Sequence, residues 1–333
     1  MKKLLAIMLV LFVASVAFAG GSSSGSKSSG LIKVGIVNLH PSESGYREAN
    51  VKDMDRVFNT ANGYEVLKAN NNTLAEQLYS ARQFINEGVE YLLIAGADTN
   101  GWTPVLTAAK NAGVKVFLFD RMLNVDQSLY EAAVVSDMAN QGKNAVAWLK
   151  SLNLPAYNIL HIQGQIGSDA QKGRTGPLDE AIAANANWTL VRRGTGGDTW
   201  SPDEAKRIVE AAIAARENFN IIYAENDGMA EGAMKALQAA GRTYGVNGDV
   251  KIMGFDYVKA NLRYVLAGEQ NFDGQCSPYQ ADIIHGFIQK LQAGQSLGIT
   301  DKKVINPESY LANPNPSGKV ITQADVDKYG LGD

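Results

Sequence analysis

Val114-Lys115-Val116-Phe117-Leu118-Phe119-Asp120-Arg121 is the stretch on which the fold turns. Its apolar run follows turn-prone residues 111–113 and reads as a strand buried on both faces, the habit of strands in parallel sheets. The run ends in a carboxylate beside a guanidinium, and in open α/β folds that end of a strand is where ligands bind. The same design recurs: residues 34–37 lead to Asn38, 159–162 to Gln163, 221–224 to Glu225-Asn226-Asp227, and 252–255 to Asp256. Polar groups at the ends of so many buried strands suit a small, hydroxyl-rich ligand. Carboxylates accept hydroxyl hydrogens, and guanidiniums present several fixed donors.

Working outward, the pattern predicts strands at 32–38, 64–69, 91–95, 114–119 and 132–135, with helices over 46–60, 74–87 and 102–111. A second series follows, with helices at 138–152, 170–184, 202–216, 228–240 and 258–267 alternating with strands at 158–162, 188–193, 220–224 and 250–254. Alternation of this length gives right-handed βαβ units and parallel sheets. One series precedes Asp137 and another follows it. The expected fold class is therefore α/β: two doubly wound parallel-sheet (Rossmann-like) lobes with a ligand cleft between them. The tail adds a strand at 272–276, a helix at 279–292 and a strand at 302–305, so the chain returns to the first lobe and crosses over again as a three-segment hinge. The expected division is an N-terminal lobe of 31–136 plus 277–304 and a C-terminal lobe of 137–276 plus 305–333.

With 333 residues, 45% of them hydrophobic and 20% charged, the chain can bury two cores. Residues 1–19 read as a secretory signal, with Lys2-Lys3, an apolar run over 4–16 and the A-x-A site Ala17-Phe18-Ala19. The run is too short for a retained anchor. Residues 20–30 form a Gly/Ser linker. Lipid attachment would need a cysteine where Gly20 stands, so a soluble mature chain beginning near Gly20 is expected. It would be periplasmic, or at the cell surface in a host with no outer membrane. Loss of Lys2 and Lys3 leaves 29 basic residues against 34 acidic ones and moves the formal charge from −3 to −5. No basic stretch supports nucleic-acid binding. Cys276 is the single cysteine, which excludes a disulfide framework and a Cys metal site. With His40, His161 and His285 in no catalytic setting, it reads as a buried spectator thiol. No metal and no cofactor are expected. Gly194, Gly196 and Gly197 lack a following Lys-Ser/Thr and read as a flexible loop rather than a phosphate cradle.

Several short segments, taken in order, carry a resemblance. They are Ser42-Glu43-Ser44-Gly45-Tyr46-Arg47, Gly101-Trp102-Thr103-Pro104-Val105-Leu106, Phe117 to Arg121, Gln163-Gly164 with Gly167 and Arg174, Asn226-Asp227 with Met229 and Gly232-Ala233, and Gly254-Phe255-Asp256. Together they resemble the type I periplasmic sugar-binding proteins, the soluble receptors of ABC importers, across residues 31–310. The galactofuranose-binding member is the nearest match, and ribose-binding proteins come next. The resemblance implies a monomer whose lobes close on a monosaccharide and deliver it to an ABC permease, without catalysis. An alternative is a sugar receptor that signals to a chemoreceptor or sensor kinase. A glycoside-processing enzyme would need two carboxylates astride a glycosidic oxygen, and Asp120 and Asp256 are instead flanked by donors suited to a free sugar. A repressor with this core would need an N-terminal DNA-binding module.

The resemblance assigns Asp120, Arg121 and Arg47 to the ligand from one lobe, with Arg174, Asn226 and Asp256 from the other. It implies that Tyr46 flanks the sugar ring, and Trp200 lines up with an opposing aromatic once one residue is inserted. Ser44 and Asn38 are candidate hydroxyl partners. Local chemistry offers plainer roles beside these. Asp227 reads as the N-cap of the helix at 228, with the Asn226 amide turned to the cleft, and Asp256 could cap the helix near Lys259. Trp102 could anchor a helix start, and Lys172 reads as solvent-facing. Asn50 stands where the nearest relative carries a carboxylate. Cys276 stands where ribose binders carry an amide, a departure that counts against ribose.

Overall fold

The computed structural model describes residues 30–306 and 308–332. The expected signal, and the linker up to residue 29, lie outside the described residues. The first sheet contains β1 (Ile32–Asn38), β2 (Tyr64–Asn70), β3 (Tyr91–Ile94), β4 (Lys115–Asp120) and β5 (Ala132–Val135), with β11 (Lys303–Ile305) added late at one edge. Its order is β11-β5-β4-β3-β1-β2, and every pairing is parallel. The second holds β6 (Tyr157–Gln163), β7 (Trp188–Thr195), β8 (Ile221–Ala224), β9 (Lys251–Phe255), β10 (Phe272–Gly274) and β12 (Tyr310–Ala312). Its order is β12-β10-β9-β8-β6-β7, parallel except for β12 against β10.

Helices α1 (Gly45–Val57), α2 (Leu74–Asn86), α3 (Thr103–Asn111) and α9 (Ala281–Gln292) cover the first sheet. Helices α4 (Met138–Ser151), α5 (Asp169–Ala184), α6 (Pro202–Ala214), α7 (Asp227–Ala239), α8 (Lys259–Ala267) and α10 (Gln323–Tyr329) belong with the second. Burial on both faces explains the apolar strands. In β4, Phe117 and Phe119 join one core with Met54 of α1 and Ile284 and Phe287 of α9. Val116 and Leu118, pointing the other way, pack with Val105 and Leu106 of α3. Side-chain caps start the helices that open on the cleft: Ser44, Ser168, Ser201 and Asn226 each accept a backbone N–H from the first turn. Among the described residues, no helix is long and apolar enough to cross a membrane.

The chain crosses between the sheets after β5, after β10 and after β11. Two elements escape the sequence reading. β12 is three residues long, too short for periodicity to reveal, and α10 is announced only by the capping box of Thr322 and Asp325. Helix 46–60 ends at Val57, because the Asn59 side chain instead caps a separate turn over 60–62. Strand 272–276 ends at Gly274 and helix 279–292 starts at Ala281, the residues between forming the second crossing.

Candidate ligand cleft

The carboxyl ends of strands from both sheets meet around a narrow space lined by Glu43, Ser44, Tyr46, Asp120, Arg121, Met138, Ala170, Arg174, Trp200, Asn226, Asp256 and Cys276. It opens into a larger groove between Ser42 and Glu48 on one side and Thr199, Ser201 and Gly228 on the other.

Asp120 anchors the first-lobe half. It ends β4 with φ +63, a turn that aims its carboxylate into the cleft. Tyr46 Oη donates to Oδ1 at 2.7 Å, Arg47 Nη2 donates to Oδ2, and Arg121 Nε lies 3.3 Å from Oδ2. Burial pushes this carboxyl up, but the guanidiniums of Arg47 and Arg121 outweigh it and hold the group below its ordinary range. Arg47 is fully buried and committed, donating also to Glu43 at 2.9 Å and to Asn38 and Asn50 at 3.0 Å each. It orients Asp120 from behind and does not line the space. Asn38 sits behind it too, donating to Asn50 at 3.0 Å. Asn50 turns away from the cleft, donating to Pro278 O and to Gln280. Ser44 lines the space while capping α1.

Asp256 holds the matching place in the second lobe, after β9, with φ +117. Among the described residues its one side-chain partner is Arg174, whose Nη2 donates to Oδ1 at 3.0 Å. Burial raises this carboxyl to about 6, because a single guanidinium offsets the desolvation only in part. Arg174 is itself fixed, donating to Gln141 at 2.9 Å and to the Glu225 carbonyl. The capping expectations need correcting. Asn226, not Asp227, is the N-cap of α7, its Oδ1 accepting from Met229 N at 2.8 Å. Its Nδ2 makes no hydrogen bond among the described residues, and the residue lines the cleft. Asp256 does not cap α8, whose N-cap position is Val258.

Trp200 lies between the halves. It adopts φ +51 and is 3% exposed, and its ring centroid stands 5.8 Å from the guanidinium carbons of both Arg121 and Arg174. Its benzo edge covers Gly164, where an added Cβ would come within 1.9 Å of the ring. Its indole nitrogen and Arg121 Nε are buried donors without a hydrogen-bond partner.

Sequence reasoning missed Glu43, which accepts from Arg47 and, at 3.0 Å, from Arg121. The i, i+4 spacing of Glu43 and Arg47 was the available signal. Cys276 is buried as expected, but it lines the space, 3.4 Å from Ser136 Oγ, with burial pushing its thiol well above the thiolate range. Trp102 belongs to the first-lobe core, donating to Asp98 O at 3.0 Å. Lys172 is exposed as expected, yet reaches the other lobe at Thr99. That contact is part of a clasp away from the hinge, in which Met122 N donates to Asp169 at 2.9 Å and Gln165 Nε2 to Asn72 O at 3.1 Å. The lobes are closed on one another.

Two parallel-sheet lobes, a triple crossing and a polar cleft define a class of two-lobed binding proteins. A profile of the periplasmic binding protein domain matches residues 34–295, and the chain belongs to that family. It is similar to the galactofuranose-binding protein YtfQ of Escherichia coli, 32% identical over 64% of this chain and 68% of the relative. It is also similar to the fructose import binding protein FruE of Bifidobacterium longum, 28% identical over 79% and 80%. Among solved structures, the arabinose ABC transporter binding component from a Shewanella species, bound to α- and β-L-arabinofuranose, superposes with a TM-score of 0.78 at 26% identity. That match covers 89% of this chain and 95% of the other. These relatives are binding proteins, not enzymes, and so is this chain.

Proposed function

We propose that this protein is an exported receptor that captures one neutral monosaccharide, in furanose form, between its lobes and delivers it to an ABC permease. The observation that carries the reading is the unfilled polar set of the cleft. Trp200 Nε1 is a buried donor without a hydrogen-bond partner among the described residues, and Arg121 Nε has only its 3.3 Å ion-pair contact with Asp120; they stand with the open amide nitrogen of Asn226 and the second oxygen of Asp256. Leaving such groups unpaired is unfavourable, and a ring carrying several hydroxyls satisfies donors and acceptors together. Neutrality follows from charge. Carboxylates of Glu43, Asp120 and Asp256 match guanidiniums of Arg47, Arg121 and Arg174, so an anionic or cationic sugar would upset the balance. The furanose form is favoured because one of the relatives above is named for galactofuranose and another is bound to arabinofuranose, and fructose is a ketose able to take that ring. In this reading Asp120, Arg121, Tyr46, Ser44, Arg174, Asn226, Asp256 and Trp200 touch the sugar, and Arg47 and Asn38 hold Asp120.

Closure supplies its own bonds through the clasp at Asp169, Gln165 and Lys172, and the sugar shifts the balance by what it adds to the closed state alone. A melting-temperature screen with D-galactose, D-fructose, L-arabinose and D-ribose, with D-galacturonate as the charged control, tests the reading. At least one neutral sugar raises the midpoint in a concentration-dependent way and galacturonate does not. A shift only with galacturonate, or none at all, overturns it. Deletion in the native host abolishes uptake of the stabilising sugar; normal uptake with lost taxis or gene induction would assign the receptor to a signalling partner.

A further inference from the structure

Behind Asp256 lie two carboxyls that the sugar site does not use. Asp227, the first residue of α7, and Asp273, in the middle of β10, are both fully buried. Asp227 Oδ2 accepts from Val258 N at 2.8 Å, and Asp273 Oδ1 accepts from Tyr257 N at 3.3 Å. Those two N–H groups belong to the residues directly after Asp256. Asp256 and Tyr257 both have positive φ, +117 and +65, a backbone that non-glycine residues adopt only under strain. Something must hold this turn, and the two aspartates accept the two successive N–H groups that follow Asp256.

Their other oxygens, Asp227 Oδ1 and Asp273 Oδ2, are buried without a hydrogen-bond donor among the described residues, and the two carboxyls lie within hydrogen-bond reach of one another. Of the nearby amides, Asn261 Nδ2 donates to Asp227 O and Gln270 Oε1, and Gln270 Nε2 donates to Phe272 O at 3.0 Å and makes no hydrogen bond to either oxygen. The charged and titratable groups around the pair are Asp256, Arg174 and the Tyr257 phenol. Arg174 is held by Gln141, Glu225 and Asp256, and the Tyr257 phenol lies against Ser309. Two ionised carboxylates would repel one another strongly in such a buried site, and a proton shared between them removes that repulsion. Gly254, paired with Asp273 across β9 and β10, makes the room: a Cβ there would lie 2.5 Å from Asp227 Oδ1.

We propose that Asp227 and Asp273 are positioning residues that share a single proton and, as one clamp, hold the Asp256–Tyr257 turn so that Asp256 points into the cleft. Burial and mutual repulsion push both carboxyls well above their ordinary range, in keeping with a proton retained at neutral pH. Because an amide can supply the missing hydrogen, a single Asn at either place preserves the clamp. Asn at both places sets N–H₂ against N–H₂ and breaks it.

The test needs no ligand, so its failure is separate from failure of the sugar-binding reading. Difference infrared spectra at pH 8 show a protonated carboxylic acid in the wild type that is lost in both D227N and D273N. Carbon-13 titration of the Asp256 carboxyl gives a midpoint near 6 in the wild type and in each single variant. In D227N/D273N that midpoint moves towards an exposed carboxyl. No protonated acid at pH 8, its persistence in both single variants, or an unmoved Asp256 titration in a folded double variant overturns the proposal. If the double variant does not fold, the infrared comparison of the single variants decides.

Discussion

The two halves of the cleft place an aspartate at the same point of the same design and treat it differently. Asp120 ends β4 and Asp256 follows β9, both with positive φ, both buried. Asp120 is gripped by Tyr46, Arg47 and Arg121, and its carboxyl is held low; Asp256 has Arg174 alone, and its carboxyl rises to about 6. The first lobe thus offers a fixed negative anchor. The second offers a group whose charge depends on pH and on what closes over it. Receptor halves of one fold can therefore be preorganised to different degrees by the number of donors around one carboxylate.

The largest effect expected on this contrast comes from Arg47→Ala. It leaves Glu43 and Asp120 buried without their main counter-charge, and breaking such a pair costs about 3–5 kcal/mol. Denaturant unfolding measures it, and a loss below about 1 kcal/mol would mean that Asp120 is not anchored as described. Next, Asp120→Ala and Arg174→Ala each weaken sugar binding by about 2 kcal/mol, roughly thirtyfold, since each leaves a ligand hydroxyl unpaired in a dry cleft. Titration calorimetry with the sugar that stabilises the protein reads both, and near-wild-type curves would move the site elsewhere. Trp200→Phe keeps an aromatic face and removes only the indole donor, so about a tenfold loss is expected. Unchanged affinity would restrict Trp200 to packing.

The smallest effect concerns pH. If a sugar hydroxyl donates to Asp256, affinity falls as pH drops through about 6 and the carboxylate is protonated, whereas D256N shows a flat profile. The unliganded protein carries the opposite trend from this group. A folded-state value raised above the ordinary one contributes stability that is full below the ordinary range and is lost as pH rises through about 6. Calorimetry between pH 5 and 8, beside melting curves of the free protein, separates the two slopes. Parallel slopes would contradict a carboxylate acceptor.

How much was legible follows the same physics. The buried strands were readable because residues such as Val116 to Phe119 have no polar face to hide, and Asp120 and Asp256 stand out as charges ending such runs. What a short polar side chain does at a helix start was less readable. Asn226 and Asp227 are both good caps, and only the backbone shows that Asn226 takes the role while Asp227 turns inward to Asp273. The sequence also could not rank the arginines: Arg121 follows Asp120 in the chain, whereas Arg47 meets the same carboxylate from 73 positions away and holds it from behind the site. Glu43 was half-legible: its i, i+4 spacing to Arg47 could be read, but its second partner, Arg121, lies 78 positions away.

Retention of an unmodified sugar tests the central claim most directly. The purified protein is dialysed against an equimolar mixture of D-galactose, D-fructose, L-arabinose and D-ribose, washed, denatured, and the released sugar identified by chromatography. The account predicts one of these sugars, chemically unchanged, at close to one per protein chain, and none retained by Asp120→Ala. No retained sugar, or release of a compound absent from the mixture, would contradict it.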